Sequence, residues 1–500
     1  MFRLPRDTVM TTELLAEYIG KHKRIVNERY SKLKSAYEND YAIFHREAKE
    51  PYKPDNRISV NFAKYITDTF NGFFIGNPIK VQSDDETVNE YIQFLDNYND
   101  QDDNNAELSK ICSIYGKGYE MYFVDEEGNI GITYLNPTEA FIIYDESIVE
   151  KPLFFVRYYM DYKNVERGSW SDGVQIQYFY NKGSYKWEDE PHNHGFDGVP
   201  ATEYVENAER LGLFESALPM IDAYNKAVSE KANDVDYFAD AYLKVLGALL
   251  DNEGLQNIRN NRIINFDEDA SGLVVEFMQK PNADTSQENL LNRLERLIYQ
   301  ISMVANINDE NFGTSSGIAL KYKLLSMTNL AKTKERKFVS GMNRRYRLIF
   351  SNPVSGMSRD AWVGIQYKFT FNIPANLSDE ATVATQLEGI ISKETQLSVL
   401  SIVDDVQSEM DKINAEDEQN ALSIVDQRMF NDSLDDSNEQ AGGVIEVQSK
   451  PLNGAQTQSL LAIMAQYTAK AITEGQAVKL ISTAIGITNA EARSILAGEL

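Results

Sequence analysis

Residues 285–350 read TSQENLLNRLERLIYQISMVA, then NINDENFGTSSG, then IALKYKLLSMTNLAKTKERKFVSGMNRRYRLIF. In the first piece Leu290, Leu294, Leu297, Ile298, Ile301 and Val304 keep the 3.6-residue period, which predicts an amphipathic helix over about Thr285–Ala305. Asn306–Gly317 is too polar and too glycine-containing to continue it. The third piece predicts a long helix over about 318–350. Upstream, a helical pattern over about Phe214–Leu249 is followed by a segment, 251–281, that holds two short apolar runs, Arg262–Phe266 and Leu273–Met278, expected as strands. The order is therefore helix, small β insertion, helix, polar loop, long helix.

Working further outward, 12–37 reads as one amphipathic helix, and Val60, Phe62, Tyr65, Ile66, Phe70 and Phe74 mark another over Ile58–Phe74, stopped by Gly76-Asn77-Pro78. Asp84-Asp85-Glu86 is placed to cap a helix carrying Tyr91, Ile92, Phe94 and Leu95. Residues 98–105, YNDQDDNN, read as a turn or surface loop; they lack the glycine and closing glutamate of an EF-hand calcium loop. From Gly116 to about Trp187 short apolar runs alternate with turn residues, Gly128-Asn129 being a credible hairpin turn. These runs predict an antiparallel meander packed beside the helices. Past Pro353 one strand is expected at Tyr367–Asn372, acidic helices over about 378–428, a flexible linker at 431–443, and a small helical unit at 455–500. The fold class is α+β, mainly helical.

At 500 residues the chain has room for two to four domains. One cysteine excludes a disulfide framework and a cysteine zinc cluster. No apolar run approaches the length that spans a bilayer, so no membrane role is expected, and the first twenty residues lack the apolar core of a signal peptide. There is no GxxxxGK[ST], GxGxxG or GxSxG motif. Among four histidines, only His192 and His194 form a pair, in a Pro/Gly-rich loop without a third ligand, so an exposed loop is the better reading. Cys112, between isoleucines, reads as a small core residue. No active site, cofactor or metal is nominated, and the chain is expected not to be an enzyme.

Charge is the informative quantity. Asp and Glu number 76 against 49 Lys and Arg, a formal −27, which argues against a protein that coats nucleic acid. Yet 318–350 carries Lys321, Lys323, Lys332, Lys334, Arg336, Lys337, Arg344, Arg345 and Arg347 against Glu335 alone: +8, leaving −35 for the remainder. Residues 401–440 have a local −10. A basic helix of this kind serves subunit pairing, a phosphate-facing track, or simply a solvated face.

The run PDNRISVNFAKYITDTFNGFFIGNPI, residues 54–79, resembles the N-terminal signature of portal proteins from tailed bacteriophages, most like the siphophage type of Gram-positive hosts. Ser113–Glu120, Phe141–Asp145, Asn308–Gly317 followed by Ala319–Leu324, and Gly389–Thr395 with Val403-Asp404-Asp405 and Glu409 resemble later blocks of the family in the same order. The resemblance covers roughly 40–420. It implies portal architecture, with a wing at 1–208, stem helices at 209–248 and 284–306 around a clip at 249–283, and a tunnel loop at 307–317. A wing-crossing helix and returning wing strand would follow at 318–377, a crown at 378–430, and a linker with a C-terminal helical unit at 431–500.

The resemblance further implies a ring of about twelve subunits at one capsid vertex, in the virion after assembly in the host cytoplasm. That ring would be the conduit for double-stranded DNA in packaging and ejection. Its implied partners are the terminase large subunit, head-completion or adaptor proteins, and the major capsid and scaffolding proteins. Asn308, Asp309, Glu310, Asn311, Phe312 and Gly313 would be the DNA-facing loop. Lys332, Lys334, Arg336, Lys337, Arg344, Arg345 and Arg347 would be a basic helix meeting a neighbouring subunit or DNA. A non-portal assembly or adaptor protein that binds partners through acidic helices is the competing reading. Net acidity suits a conduit, since carboxylates repel the phosphate backbone and let a duplex slide.

Overall fold

The computed structural model describes residues 1–50, 53–239, 243–246, 274–277, 284–307, 317–373, 377–400, 402–403, 406–416, 460, 462–464, 467, 472–485 and 487–497. Contacts divide the chain into one compact unit of Met1–Leu387 with Val399–Ser401 and a second of Glu388–Ser398 with Ile402–Leu500.

The first unit opens with a short strand, β1 (Phe2–Leu4), and a helix over 12–37 as the periodicity predicts. That helix is α1 (Thr12–Ile25) and α2 (Ser31–Tyr37), joined by a π-helical turn at Val26–Tyr30. Next come α3 (Phe62–Ile75), β2 (Lys80–Ser83), α4 (Glu86–Tyr98), α5 (Gln101–Tyr115), β3 (Lys117–Val124), β4 (Ile130–Leu135), β5 (Ala140–Asp145) and β6 (Pro152–Met160). β7 (Glu166–Ser171), β8 (Gln175–Asn181), β9 (Tyr185–Trp187), β10 (His192–Asn193) and β11 (Ala201–Val205) complete the sheets. α6 (Leu218–Ala239), β12 (Leu243–Leu246), β13 (Val274–Phe277), α7 (Asp284–Ser302), α8 (Gly317–Ser351) and β14 (Ile365–Lys368) follow.

The helix expected over Ile58–Phe74 starts four residues later, at Phe62, while the cap expected at Asp84–Glu86 falls on Asp85. Asn61 starts α3 by accepting from Lys64 N at 3.1 Å, and the Asp85 carboxylate accepts from Thr87 N and Val88 N to start α4. Residues 98–105 are not a surface loop. Only 99–100 turn, with Asp100 at φ +48°, and α5 starts at Gln101. The aspartates that suggest a loop fill the first helical turn, where the helix dipole favours them, while Gln101 and Asn105 point inward and are buried.

The meander is two sheets rather than one. β3 and β4 form the expected hairpin, Gly128 taking φ +83° at its turn, but they pair with β11 as β11-β3-β4. The larger sheet runs β1-β5-β6-β7-β8-β10 with β9 beside β8, and its one parallel pair is β1 with β5. β5 is buried at every residue because both its faces are covered. Phe141 and Ile143 pack with Leu15, Tyr18 and Ile19 of α1; Ala140, Ile142 and Tyr144 pack with Tyr119, Met121 and Ala201 of the other sheet.

His22 locks α1 to the larger sheet. It is 3% exposed, with Nδ1 2.8 Å from the Tyr158 hydroxyl and Nε2 2.9 Å from the Pro137 carbonyl. A neutral ring protonated on Nε2 satisfies both, and burial pushes its pKa down to about 3. The unfolded chain, with a histidine pKa of about 6.5, therefore takes up the proton first. His22's stabilising share is whole above that pH and falls by about 1.4 kcal/mol per unit as pH drops toward 3. Thermal melts between pH 7 and pH 4 should show a steeper loss for wild type than for His22→Gln; parallel curves would refute the assignment.

β14 returns from the far end of the chain to pair antiparallel with β2, with Ile365 opposite Ser83. The strand expected at 367–372 is thus centred earlier, and Phe369 and Phe371 instead stack on Phe74 and Phe73 of α3, each with ring centroids 5.4 Å apart.

The helix expected to run to Leu249 ends at Ala239, and Leu243–Leu246 is a strand antiparallel to Val274–Phe277. Among the described residues the insertion shows this one antiparallel pair: Val274–Phe277 falls within the expected Leu273–Met278, and the expected Arg262–Phe266 lies outside the described residues. An extended stretch, 56–60, is strapped along α6. Val60 N donates to Asn225 Oδ1 (2.8 Å), Ile58 N to Ser229 Oγ (2.9 Å) and Asn56 N to Asn233 Oδ1 (2.6 Å). Four helical residues rise about 6 Å and two extended residues about 6.6 Å, so the two repeats stay in register across the three contacts.

In the second unit Ser392 caps a short helix, Lys393–Leu397, 406–416 is helical, and the helices Glu474–Ile485 and Asn489–Ala497 pack through Val478, Ile481 and Ala492. The expected linker 431–443 lies outside the described residues.

Candidate functional site

The long basic helix α8 has two faces of opposite character. Leu324, Met327, Ala331, Phe338, Met342 and Ile349, three to four residues apart with two seven-residue steps, are buried in the main core. Gly341 faces β11: a Cβ there would stand 2.4 Å from the Tyr204 ring, so only glycine lets the ring lie against the backbone.

Three of the basic residues serve this inner face. Lys334 is 0% exposed; its ammonium pairs with Glu206 at 2.7 Å, donates to Ser113 Oγ (2.7 Å) and Ser109 O (2.9 Å), and lies over the Phe70 and Phe74 rings. Arg345, also 0% exposed, donates from Nε to Glu120 Oε2 (2.8 Å) and from Nη2 to Glu120 Oε1 and Asn105 Oδ1 (both 2.7 Å). The Tyr122 and Tyr204 hydroxyls donate to the same Glu120 Oε2. Burial pushes both phenols well above their ordinary range, and Glu120 adds to the effect, so they remain donors. Arg344 donates to the carbonyls of Ala201 (3.2 Å) and Val199 (3.2 Å) at the edge of β11.

Lys334 and Arg345 are therefore buried and paired within the chain. Each is consumed inside its own subunit, because α8 crosses the sheet and helices whose buried carboxylates need a counter-charge.

The outer face carries what is left. Lys321, Lys332, Arg336 and Arg347 are exposed, and their spacings of 11, 4 and 11 residues are close to whole turns, which puts them on one stripe. Lys337 is half-buried on the flank. Among the described residues none of these five is ion-paired. The expected loop residues Asn308, Asp309, Glu310, Asn311, Phe312 and Gly313 all lie outside the described residues.

The residues that sequence reasoning missed are the acids: Glu120 and Glu206, with Asn105 and Gln101 behind them. Glu120 had a signal, a lone carboxylate in the otherwise apolar run Tyr119–Val124. The histidine pair is not in a free loop: His192 lies in β10 against β8, and His194 is half-buried just after it. His192 is exposed beside Asp189, and His194 uses both ring nitrogens on backbone groups. Among the described residues no cluster of histidine, cysteine or acid could hold a metal. Cys112 is buried, its sulfur 3.5 Å from Tyr204 O. No helix of the described residues is long and apolar enough to cross a membrane.

A family model described as "Phage portal protein, SPP1 Gp6-like" matches residues 15–422, most of the chain. The chain belongs to the phage portal protein family. The portal protein of Bacillus phage SPP1 is 24% identical over 477 residues, 87% of this chain and 92% of that one. The portal protein of Clostridium phage phiCD119 is 24% identical over 398 residues, 74% of this chain and 87% of its own. A chain from a solved structure described as "Neck of empty GTA particle computed with C6 symmetry" superposes with a TM-score of 0.40 at 11% identity, covering 67% of this portal chain and 89% of that one; a likeness this loose carries no weight below. The matched span contains all of α8 and, among the described residues, the β12–β13 pair between α6 and α7.

Proposed function

We propose that this portal protein closes into a ring of about twelve copies at one capsid vertex and passes double-stranded DNA through its centre during packaging and ejection. The observation that carries the reading is the family match over 15–422, with the element order helix, β piece, helix, long helix inside it. On this reading 1–208 is the wing, α6 and α7 are stem helices, and the β12–β13 pair belongs to the clip, which therefore begins before residue 249. Residues 307–317 are the tunnel loop, α8 and β14 cross and return to the wing, and 378–430 begin the crown. The terminase large subunit and then head-completion proteins dock on the clip, and the major capsid and scaffolding proteins surround the wing. The ring assembles in the host cytoplasm and ends in the virion.

A charge of −27 supports a conduit that does not grip its cargo, because each phosphate neutralised by Lys or Arg releases counterions and adds affinity. The exposed stripe of α8 supports a head-to-tail contact with an acidic neighbour. Replacing Asn308–Gly313 with a short Gly-Ser link should leave rings intact by negative-stain microscopy yet impair DNA packaging or retention; normal DNA filling would sink the loop's assigned role.

A further inference from the structure

The seven-stranded sheet and the β11-β3-β4 sheet leave a cavity of about 530 Å³ between them, within the usual size of a ligand pocket. Arg157 of β6, Ser169 of β7 and Tyr178 of β8 sit side by side in register along one wall. Arg157 has the character of a site waiting for an anion. Its Nε is buried without a hydrogen-bond partner, and among the described residues its guanidinium meets no carboxylate, only the Tyr159 ring. In a chain with so large an excess of acids, a semi-buried arginine left unpaired is unusual. The rim is apolar and open: Phe123, Val124, Tyr178 and Val354 line it and are all exposed.

The complementary shape is on the same subunit, at the turn between β5 and β6. Ile148 is 101% exposed and Val149 68%, side by side at the tip. The turn is rigid, because the Asp145 carboxylate accepts from Ser147 N, Ser147 Oγ (2.6 Å) and Lys151 N (2.9 Å). Of its two flanking glutamates, Glu150 is taken by Arg3, while the exposed Glu146 has no partner among the described residues. A preformed apolar tip with a free carboxylate matches an apolar rim with a free guanidinium. The tip cannot fold back onto its own pocket. Glu150 and Arg157 flank the same strand seven residues apart, about 23 Å along it.

We propose that the Ile148–Val149 turn of one copy seats in the Arg157 pocket of the next, Glu146 pairing with the Arg157 guanidinium. A tip on one surface and a pocket on another make a heterologous contact, which closes into a ring when the rotation allows. The proposal rests on the ring reading above.

The test is native mass spectrometry of the full chain over a concentration series, with E146R, R157E, I148S and the swap E146R/R157E. Each single variant should raise the concentration for half-assembly at least about ten-fold, and the swap should return it to within about three-fold of wild type. Glu146 and Ile148 lie on an exposed turn, so E146R and I148S probe the contact even where R157E fails to fold, which melting of the unassembled subunit reports. Single variants that assemble like wild type overturn the contact, including the case where the tip seats on another protein. A swap no better than the worse single overturns the pairing of Glu146 with Arg157. A wild-type chain that forms no ring removes the ring reading itself, an outcome distinct from the other two.

Discussion

Arg345→Met should destabilise the subunit by about 3–5 kcal/mol, the cost typical of breaking a buried ion pair from one side. The cause is what stays behind. Glu120 would be left in a site sealed by Tyr122, Tyr204 and α8, with two phenol donors but no cation opposite it. Asn105 would lose one of its two donors, keeping Gln101. Removing both charges, as Arg345→Met with Glu120→Leu, should recover a large part of the loss, because an apolar pair of similar volume needs no counter-charge. Urea melts of the unassembled subunit measure all three proteins. A double variant as unstable as the single would show that the arginine acts through packing and not through Glu120. Lys334→Met is the same experiment at Glu206, without a bidentate partner but with the ammonium's bonds to the Ser109 carbonyl and Ser113 hydroxyl also lost.

Reversing the outer stripe, Lys332→Glu with Arg336→Glu and Arg347→Glu, should abolish ring assembly while leaving the subunit folded. All three side chains are exposed on α8, and exposed substitutions of this kind shift stability by only about 0.5 kcal/mol each. Six units of charge change, however, turn an attraction for an acidic neighbour into a repulsion along the whole stripe. Thermal melts check the folding, and native mass spectrometry or negative-stain microscopy checks the ring. Rings that assemble normally but package no DNA would reassign the stripe to a phosphate-facing track. Lys334 and Arg345 must be left out of this set, since their reversal would unfold the subunit and imitate a failure of assembly.

The long helices were legible because each buries one face and solvates the other, and a 3.6-residue period survives any detail of the surroundings. One cap and one stop were legible for a similar reason: Asp85 and the Gly76-Pro78 break act within a turn or two of chain. Residues 98–105 were misread because polar composition is shared by loops and by helix starts, and burial of Gln101 and Asn105 depends on Glu120 and Arg345, distant in sequence. β1 and β11 were missed because strands of three and five residues acquire meaning only from the sheet edge they complete. The helix expected to reach Leu249 stopped early because Leu243–Leu246 reads equally well as helix or strand, and its partner at Val274–Phe277 decided.

The basic helix shows where sequence stops. Nine cations in 33 residues are visible in the string, and so is their excess over the acids nearby. Family membership too lies in the order of the local blocks. Which cations are spent inward and which face out was decided only by the fold: charge is a property of residues, while pairing is a property of positions. Glu120 and Glu206 are more than 120 residues from the cations they neutralise, brought there by strands β3 and β11 passing under α8. Helices, caps and net charge depend on neighbours along the chain and were therefore written in it. The inward ion pairs, the Arg157 pocket and the outer stripe depend on neighbours in space, and only the folded chain supplies those.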